Sequence, residues 1–453
     1  MSTKLNITYR KIWQIAFPLI LGSAGQNIVA LSDSIFLYYK SEEDFAAIGF
    51  VGVFYLVMSA IGYGFSKGGQ VMIARRMGEG KPEEVGRNFF DMLYFQLALA
   101  VLVFLFIQLG CPIVFKYFVK SPEIYEKSLA FLKYRSYGVF FTYTGLAIIS
   151  LYTGVARTKF IMIDTGLMGL LNIFFCYCFV FGKFGFPDLG IAGAGLASTL
   201  AEMIAFFVFI IYMFFDKKIE AYHLFKPRKV DTSIIREQMK ISLPSVAQPV
   251  VGIGSWFLML SFVETYLGVH DLAITNLVRM VYLFLSIPSW GFASSVNTLV
   301  SNVIGQRQYE KVFPTIRKTA ILCIGFTALI AIPILCFPNF FLEPFLRPTG
   351  EAVLLHEAIP ILRLLLVILA LFSICGIYFN ALASTSAASV GLLYQFICVV
   401  IYVVYVYVIL RFLHLGLFWV WTAEILYWVL MLILVRNFLR SDKWHPEKVK
   451  SEK

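Results

Sequence analysis

An aspartate deep inside an apolar run is the first residue of this chain whose chemistry needs a reason. Asp33 stands about 21 residues into the first hydrophobic stretch, roughly 30 Å along a straight helix. A carboxylate in hydrocarbon is expensive, so it defaults to a function: binding a proton or metal cation. Gly22, Gln26, Ala30 and Asp33 follow i, i+4, i+8 and i+11 spacing and share one helix face; Ser23 and Asn27 widen it into a polar stripe. Such a stripe belongs against a bundle interior or a water-filled cavity. Pro18 lies earlier on the same helix, where its missing N–H opens the hydrogen-bond ladder and permits a bend. An acid above a bend could couple ion binding to helix shape. The plainer alternative is a static cap or ion pair.

Other ionisable side chains fall within apolar runs. Glu202 sits midway along the sixth run and Glu424 at a comparable place in the twelfth. Each is either proton-linked or hydrogen-bonded to a neighbouring helix. Lys67 and Arg279, in the second and eighth runs, either neutralise buried acids or line a cavity and contact an anionic group. Gln26, Asn27, Lys67, Glu202 and Arg279 are therefore the cavity candidates. Asp164, following Arg157 and Lys159, reads as a charge at a helix start, and Glu264 as a solvated one near a helix end.

Enzyme signatures are missing: no GxSxG, HExxH, GxxxxGK[ST] or Gly-rich dinucleotide fingerprint occurs. His223, His270, His356, His414 and His445 fall in loops or at span edges without ligand-like spacing. The seven cysteines lie mostly inside apolar runs with no CxxC pair, as small buried side chains do. The expectation is no enzyme, no metal site, no cofactor and no ATP-driven pump.

The elements that must position these residues are membrane spans. Hydrophobic residues make up 59%, charged ones only 14%, and the mean hydropathy is +0.79; a soluble domain carries about a quarter charged residues. Twelve runs are long enough to cross a bilayer, at 12–37, 47–73, 88–112, 130–153, 160–182, 190–215, 240–266, 272–302, 317–340, 356–381, 387–411 and 415–437. The 453-residue chain has a net charge of +11, but its distribution follows the loops. With a cytoplasmic N-terminus and span-edge charges assigned to adjoining loops (Lys133 and Arg135 among them), 26 Lys and Arg lie inside and 10 outside. That is the positive-inside bias, placing both termini in the cytoplasm. The basic surplus is a topology signal, so no nucleic-acid partner is expected. No short leader with a cleavage site precedes the first run, so no processed signal peptide is expected.

A weak self-similarity recurs at an offset of 226 to 227 residues. Ile15-Ala-Phe-Pro18 aligns with Ile241-Ser-Leu-Pro244, Gly64-Phe65 with Gly291-Phe292, Gly78 with Gly305, and Gly190 with Gly416. Six spans per copy is an even number, so both copies have the same orientation, related by an axis along the membrane normal. The expected fold is thus an all-α polytopic membrane protein of twelve helices in two pseudo-symmetric six-helix lobes. Residues 1–225 form the N-terminal lobe and 226–453 the C-terminal lobe with a charged tail whose end is disordered. The stretch 216–239, with Lys226-Pro-Arg-Lys229, reads as a basic cytoplasmic linker. At the position matching Asp33 the second copy has Met259 or Leu260, so the copies are chemically unequal.

Ordered motifs give a resemblance across nearly the whole chain. They are Ala16-Phe-Pro18 followed by Asp33, Phe45-Ala-Ala-Ile-Gly49, Gly64-Phe65 leading to Arg75-Arg-Met-Gly78, and Gly182-Lys-Phe-Gly185-Phe-Pro-Asp-Leu-Gly190-Ile-Ala-Gly-Ala-Gly195. Together they resemble the multidrug and toxic compound extrusion family. The resemblance implies two six-helix lobes and export by alternating access, driven by a proton or sodium gradient. It implies that Asp33 binds the coupling ion and that Asn172 matches an asparagine beside it. The family's second acid, one turn on, is replaced here by Cys176, and acids used by another branch on the seventh and tenth helices are absent from Val251-Gly-Ile-Gly254 and Ala370-Leu-Phe-Ser373. The expectation is a secondary efflux transporter of amphipathic, cationic organic compounds, coupled to protons ahead of sodium. Pro18 would be its hinge. It would act as a monomer in the lipid bilayer of a prokaryotic cytoplasmic (inner) membrane. Two alternatives remain at this point: a flippase for lipid-linked cell-envelope precursors, suggested by Lys67 and Arg279, and a membrane-embedded lipid-modifying enzyme.

Overall fold

The computed structural model describes residues 3–119, 121–224, 230–342, 351–441 and 443–445. Every regular element among the described residues is a helix, without strands. Twelve long helices follow in chain order: α1 (Tyr9–Lys40), α2 (Glu42–Glu79), α3 (Pro82–Phe118), α4 (Pro122–Gly154), α5 (Lys159–Phe181) and α6 (Ile191–Phe215). The second copy supplies α7 (Thr232–Leu267), α8 (Val269–Gly305), α9 (Val312–Cys336), α10 (Glu351–Ser384), α11 (Ala388–Arg411) and α12 (Leu417–Arg440). By length and composition, 11 of them can cross a membrane. The remaining one, α4, has the length, at 33 residues, but buries Arg135, Ser136, Ser150 and Thr153 inside the protein. Its polarity belongs to the interior, where intramembrane polar groups are tolerated. Toward the outside the chain presents Leu102, Leu170, Leu329 and Val404, all exposed and all suited to lipid.

Two compact units divide the chain. The first is Met1–Lys4 with Phe17–Val246, and the second is Leu5–Ala16 with Ala247–Lys453. The division crosses α1 one residue before Pro18. In the first unit α4 packs along α2 and α6, and α6 along α5; its core joins Leu37, Val51, Tyr55, Leu132, Tyr143 and Cys176. In the second, α10 packs along α8, α9 and α12 around Val278, Leu362, Leu365 and Trp421. Helices in lipid gain little from hiding apolar surface from one another, so close approach through small residues matters more. A Cβ on Gly193 would come within 2.6 Å of the Phe179 carbonyl oxygen, and one on Gly195 within 2.5 Å of that of Phe131. Those backbone atoms cannot step aside. Replacing Gly193 by Val should therefore part α6 from α5 and lower the unfolding temperature in detergent by several degrees. An unchanged melting curve would show that the approach is not needed.

Loop chemistry fixes where the helices begin. The Gly182 cap has φ +63°, a left-handed conformation natural for glycine, and the Leu189 N–H returns to the Phe179 carbonyl at 2.8 Å. This turn sets the start of α6 and hence the height of its polar residues. Between α6 and α7, Lys217–Tyr222 forms a short 3-10 turn and Asp231 precedes α7. The Ser233 hydroxyl and N–H donate to Asp231 and hold its carboxyl below the ordinary range. The basic cluster Lys226-Pro-Arg-Lys229 and the disorder expected at the end of the tail lie outside the described residues. Six cysteines are buried and unpaired, while Cys336 is exposed.

Candidate functional site

Asp33 on α1 is only 7% exposed. Three side chains from two other helices donate to it. The Asn172 amide reaches Oδ1 at 3.1 Å and the Cys176 thiol reaches the same oxygen at 3.0 Å. The Ser198 hydroxyl reaches Oδ2 at 2.8 Å, and the Asn172 amide also donates to Ser198 at 2.9 Å. Asn172 and Cys176 stand one turn apart on α5, so they share a face; Ser198 comes from the second turn of α6. The network closes around the carboxylate. Asn172 Oδ1 stays buried with no partner among the described residues, an acceptor held beside the acid.

One turn after Ser198, α6 carries Glu202, which faces Arg135 of α4. The guanidinium donates through two nitrogens, at 2.6 and 2.5 Å, one to each carboxylate oxygen, and the Thr142 hydroxyl adds a bond at 2.8 Å. Arg135 also lies 4.1 Å from the centre of the Tyr55 ring, a cation–π contact. Gly138 leaves the room for this pair: a Cβ there would sit 2.3 Å from the Arg135 guanidinium. A π-helical turn at Phe106–Gly110 in α3 directs Gln108 to Ser136 at 2.8 Å, bracing α4 next to Arg135.

Both groups open on one cavity of about 460 Å³ inside the first unit. Its polar lining includes Gln26, Asp33, Arg135, Asp164 and Glu202, and its walls are aromatic, with Tyr55, Tyr63, Phe141, Phe206 and Phe209. Gln26 accepts a hydrogen bond from the Tyr63 hydroxyl. The arrangement offers a buried acid with pre-set donors, a neutralised ion pair and flat apolar surface: a place for a small cation and for an amphipathic compound.

The structure brings together Asp33, Asn172, Gln26 and Glu202 from the sequence expectation. Asn27 is half-buried and donates to the Ser23 carbonyl at 2.8 Å, away from the cavity lining. Lys67 is half-buried on α2 and is not among the residues lining the cavity. Arg279 lies on α8 in the second unit, its Nε buried without a partner among the described residues. Pro18 is inside a continuous α1. Sequence reasoning missed Ser198 and Arg135. The signal for Ser198 was its four-residue spacing from Glu202; Arg135 was assigned to an outer loop but is 6% exposed inside α4. Asp164 differs too. It is buried five residues into α5, too far in for a charge on the helix N-terminus.

At the offset of 226, the cluster Asp33, Asn172, Cys176 and Ser198 maps onto Met259, Cys398, Tyr402 and Glu424, all buried. The second unit thus also buries a carboxylate, but from its last helix. Glu424 accepts from Trp428 Nε1 at 3.0 Å.

A family model, MatE, matches residues 18–178 and 249–408, one segment in each half. The chain is 23% identical over 450 residues to a probable multidrug resistance protein NorM of Thermotoga maritima, covering 97% of this chain and 94% of the relative. A second probable NorM, from Streptococcus pneumoniae, is 26% identical over 263 residues, 56% of this chain and 57% of its own. Among solved structures, a MOP superfamily transporter from Pyrococcus furiosus superposes with a TM-score of 0.86 at 19% identity, covering 96% of this chain and 95% of that one. A MATE structure in a bent conformation superposes equally well, at 0.86 and 19% identity, covering 98% and 97%.

Proposed function

The chain belongs to the MatE family, and on that premise we propose that it exports amphipathic organic cations by alternating access, driven by the inward flow of protons. As a member of this family it is a membrane transporter, not an enzyme. The observation that carries the finer reading is the closed cluster around Asp33 on the wall of an aromatic cavity. Proton coupling fits a site with a single carboxylate. Cys176 stands where a second acid would be, and its neutral thiol donates to Asp33. Hard metal cations favour several oxygen ligands, whereas one proton neutralises one carboxylate completely.

Export follows from coupling proton binding to shape. Protonating Asp33 turns one of its two acceptor oxygens into a hydroxyl donor and removes the charge that gathers donors from α5 and α6, so the hold on α1 loosens and α1 is freer to bend at Pro18. The bent conformation reported for a solved relative is consistent with that motion. Multidrug substrates are carried over from the NorM relatives, and cation preference from the cavity's own charges. By analogy with the bacterial NorM relatives the protein would sit in a prokaryotic cytoplasmic membrane, its loop charges would put both termini inside, and the self-contained cluster in one unit suits a monomer.

Purified protein in proteoliposomes, loaded with ethidium, tests the coupling ion. A pH gradient alone should drive uphill movement, and a sodium gradient at equal pH should not. Movement driven by sodium alone would overturn proton coupling.

A further inference from the structure

We propose that Asp164 is the anchor for the positively charged group of the exported compound, a site in the same cavity as Asp33 but separate from it. The inference rests on the reading of organic cations as substrates and names the residue that recognises them. Three carboxylates line the cavity against one guanidinium, that of Arg135. Two of them are occupied by the protein itself. Asp33 accepts from Asn172, Cys176 and Ser198; Glu202 accepts from Arg135 and Thr142. Asp164 is different. It is 8% exposed, it lies on the cavity wall, and its Oδ1 has no hydrogen-bond partner among the described residues.

A buried carboxylate oxygen without a donor is costly, and a ligand that brings a positive group or N–H removes the cost. The surroundings suit the rest of such a ligand. Met168 stands one turn further along α5 on the same face and also lines the cavity, as do Phe206 and Phe209 from α6. A polarisable thioether and aromatic faces accept the flat body and spread charge of an aryl cation. Asp164 and Asn172 are eight residues apart on α5, roughly 12 Å at 1.5 Å per residue. A compound held at Asp164 therefore leaves the Asp33 cluster intact. Substrate and coupling ion use different carboxylates and can be bound together.

The test uses ethidium as probe and the full chain in nanodiscs. Asp164→Asn should weaken ethidium binding at least tenfold, with Asp164→Glu restoring most of it, while the melting temperature of Asp164→Asn stays at or above that of the native protein. In the native protein, labelling of Asp164 by a hydrophobic carbodiimide, read by mass spectrometry, should be blocked by ethidium. The labelling arm stands even where a variant fails to fold. Unchanged affinity in Asp164→Asn, or labelling indifferent to bound ethidium, overturns the anchor and leaves the wider reading intact. A native protein that binds no ethidium overturns the cation reading itself, and the anchor with it.

Discussion

Asp33→Asn should abolish uphill export, lowering pH-driven ethidium transport in proteoliposomes by roughly 100-fold or more, the scale on which loss of a proton-transferring group acts. The amide has almost the shape of the carboxylate but cannot take up a proton in the working pH range. Its surroundings can adapt. The Ser198 hydroxyl, now 2.8 Å from Oδ2, can rotate to accept from the new amide, and Asn172 Oδ1 is already an acceptor without a partner among the described residues. The local cost should therefore be about 1–2 kcal/mol, that of remaking one or two hydrogen bonds, and the variant should reach the membrane folded. Because the substrate anchor is a separate group, energy-independent exchange of labelled ethidium should persist while accumulation fails. Full-rate accumulation in Asp33→Asn would remove Asp33 from the coupling role. Loss of exchange together with accumulation would assign it to substrate binding instead.

The second large effect is on stability. Removing Arg135 by substitution with Met should destabilise the first unit by about 3–5 kcal/mol, the usual cost of leaving one partner of a buried pair uncompensated. Glu202 would keep only the Thr142 hydroxyl at 2.8 Å, and Tyr55 would lose the cation above its ring. The pair as a whole is worth far less than either half, since two charges were desolvated to make it. Arg135→Met combined with Glu202→Leu should therefore recover most of the lost stability. Unfolding of the two single variants and the double variant in detergent gives the coupling directly. Additive losses would show that the two groups do not depend on each other.

The membrane class, the existence of the helices and a buried acid that needs an explanation were all legible from local chemistry. Apolar runs of about 20 residues specify spans whatever surrounds them, and twelve such runs became α1 to α12 with ends shifted by up to eight residues. Asp33 stood out because a carboxylate there is costly in any fold. The repeat was visible as well, since Pro18 and Pro244, and Gly64 and Gly291, recur at offsets of 226 and 227 residues.

Partners were a different matter. Which donors meet Asp33 depends on three helices converging, and Ser198 is an ordinary serine until the loop from Gly182 to Gly190 sets the start of α6. Arg135 looked like a loop-edge charge because the charge-poor core of α4 begins close by; only the approach of Glu202 across 67 residues of chain makes it an interior cation. Asp164 reads in sequence as a helix-end charge, and only the structure shows that it lines the cavity with a buried Oδ1 that has no hydrogen-bond partner among the described residues. Sequence by itself determined the solvent, the helices and which acids are costly enough to need a reason, because those follow from the transfer energy of single residues. Tertiary structure alone decided which carboxylates are already satisfied and which is left for a ligand, because hydrogen bonding is a property of pairs brought together from distant parts of the chain.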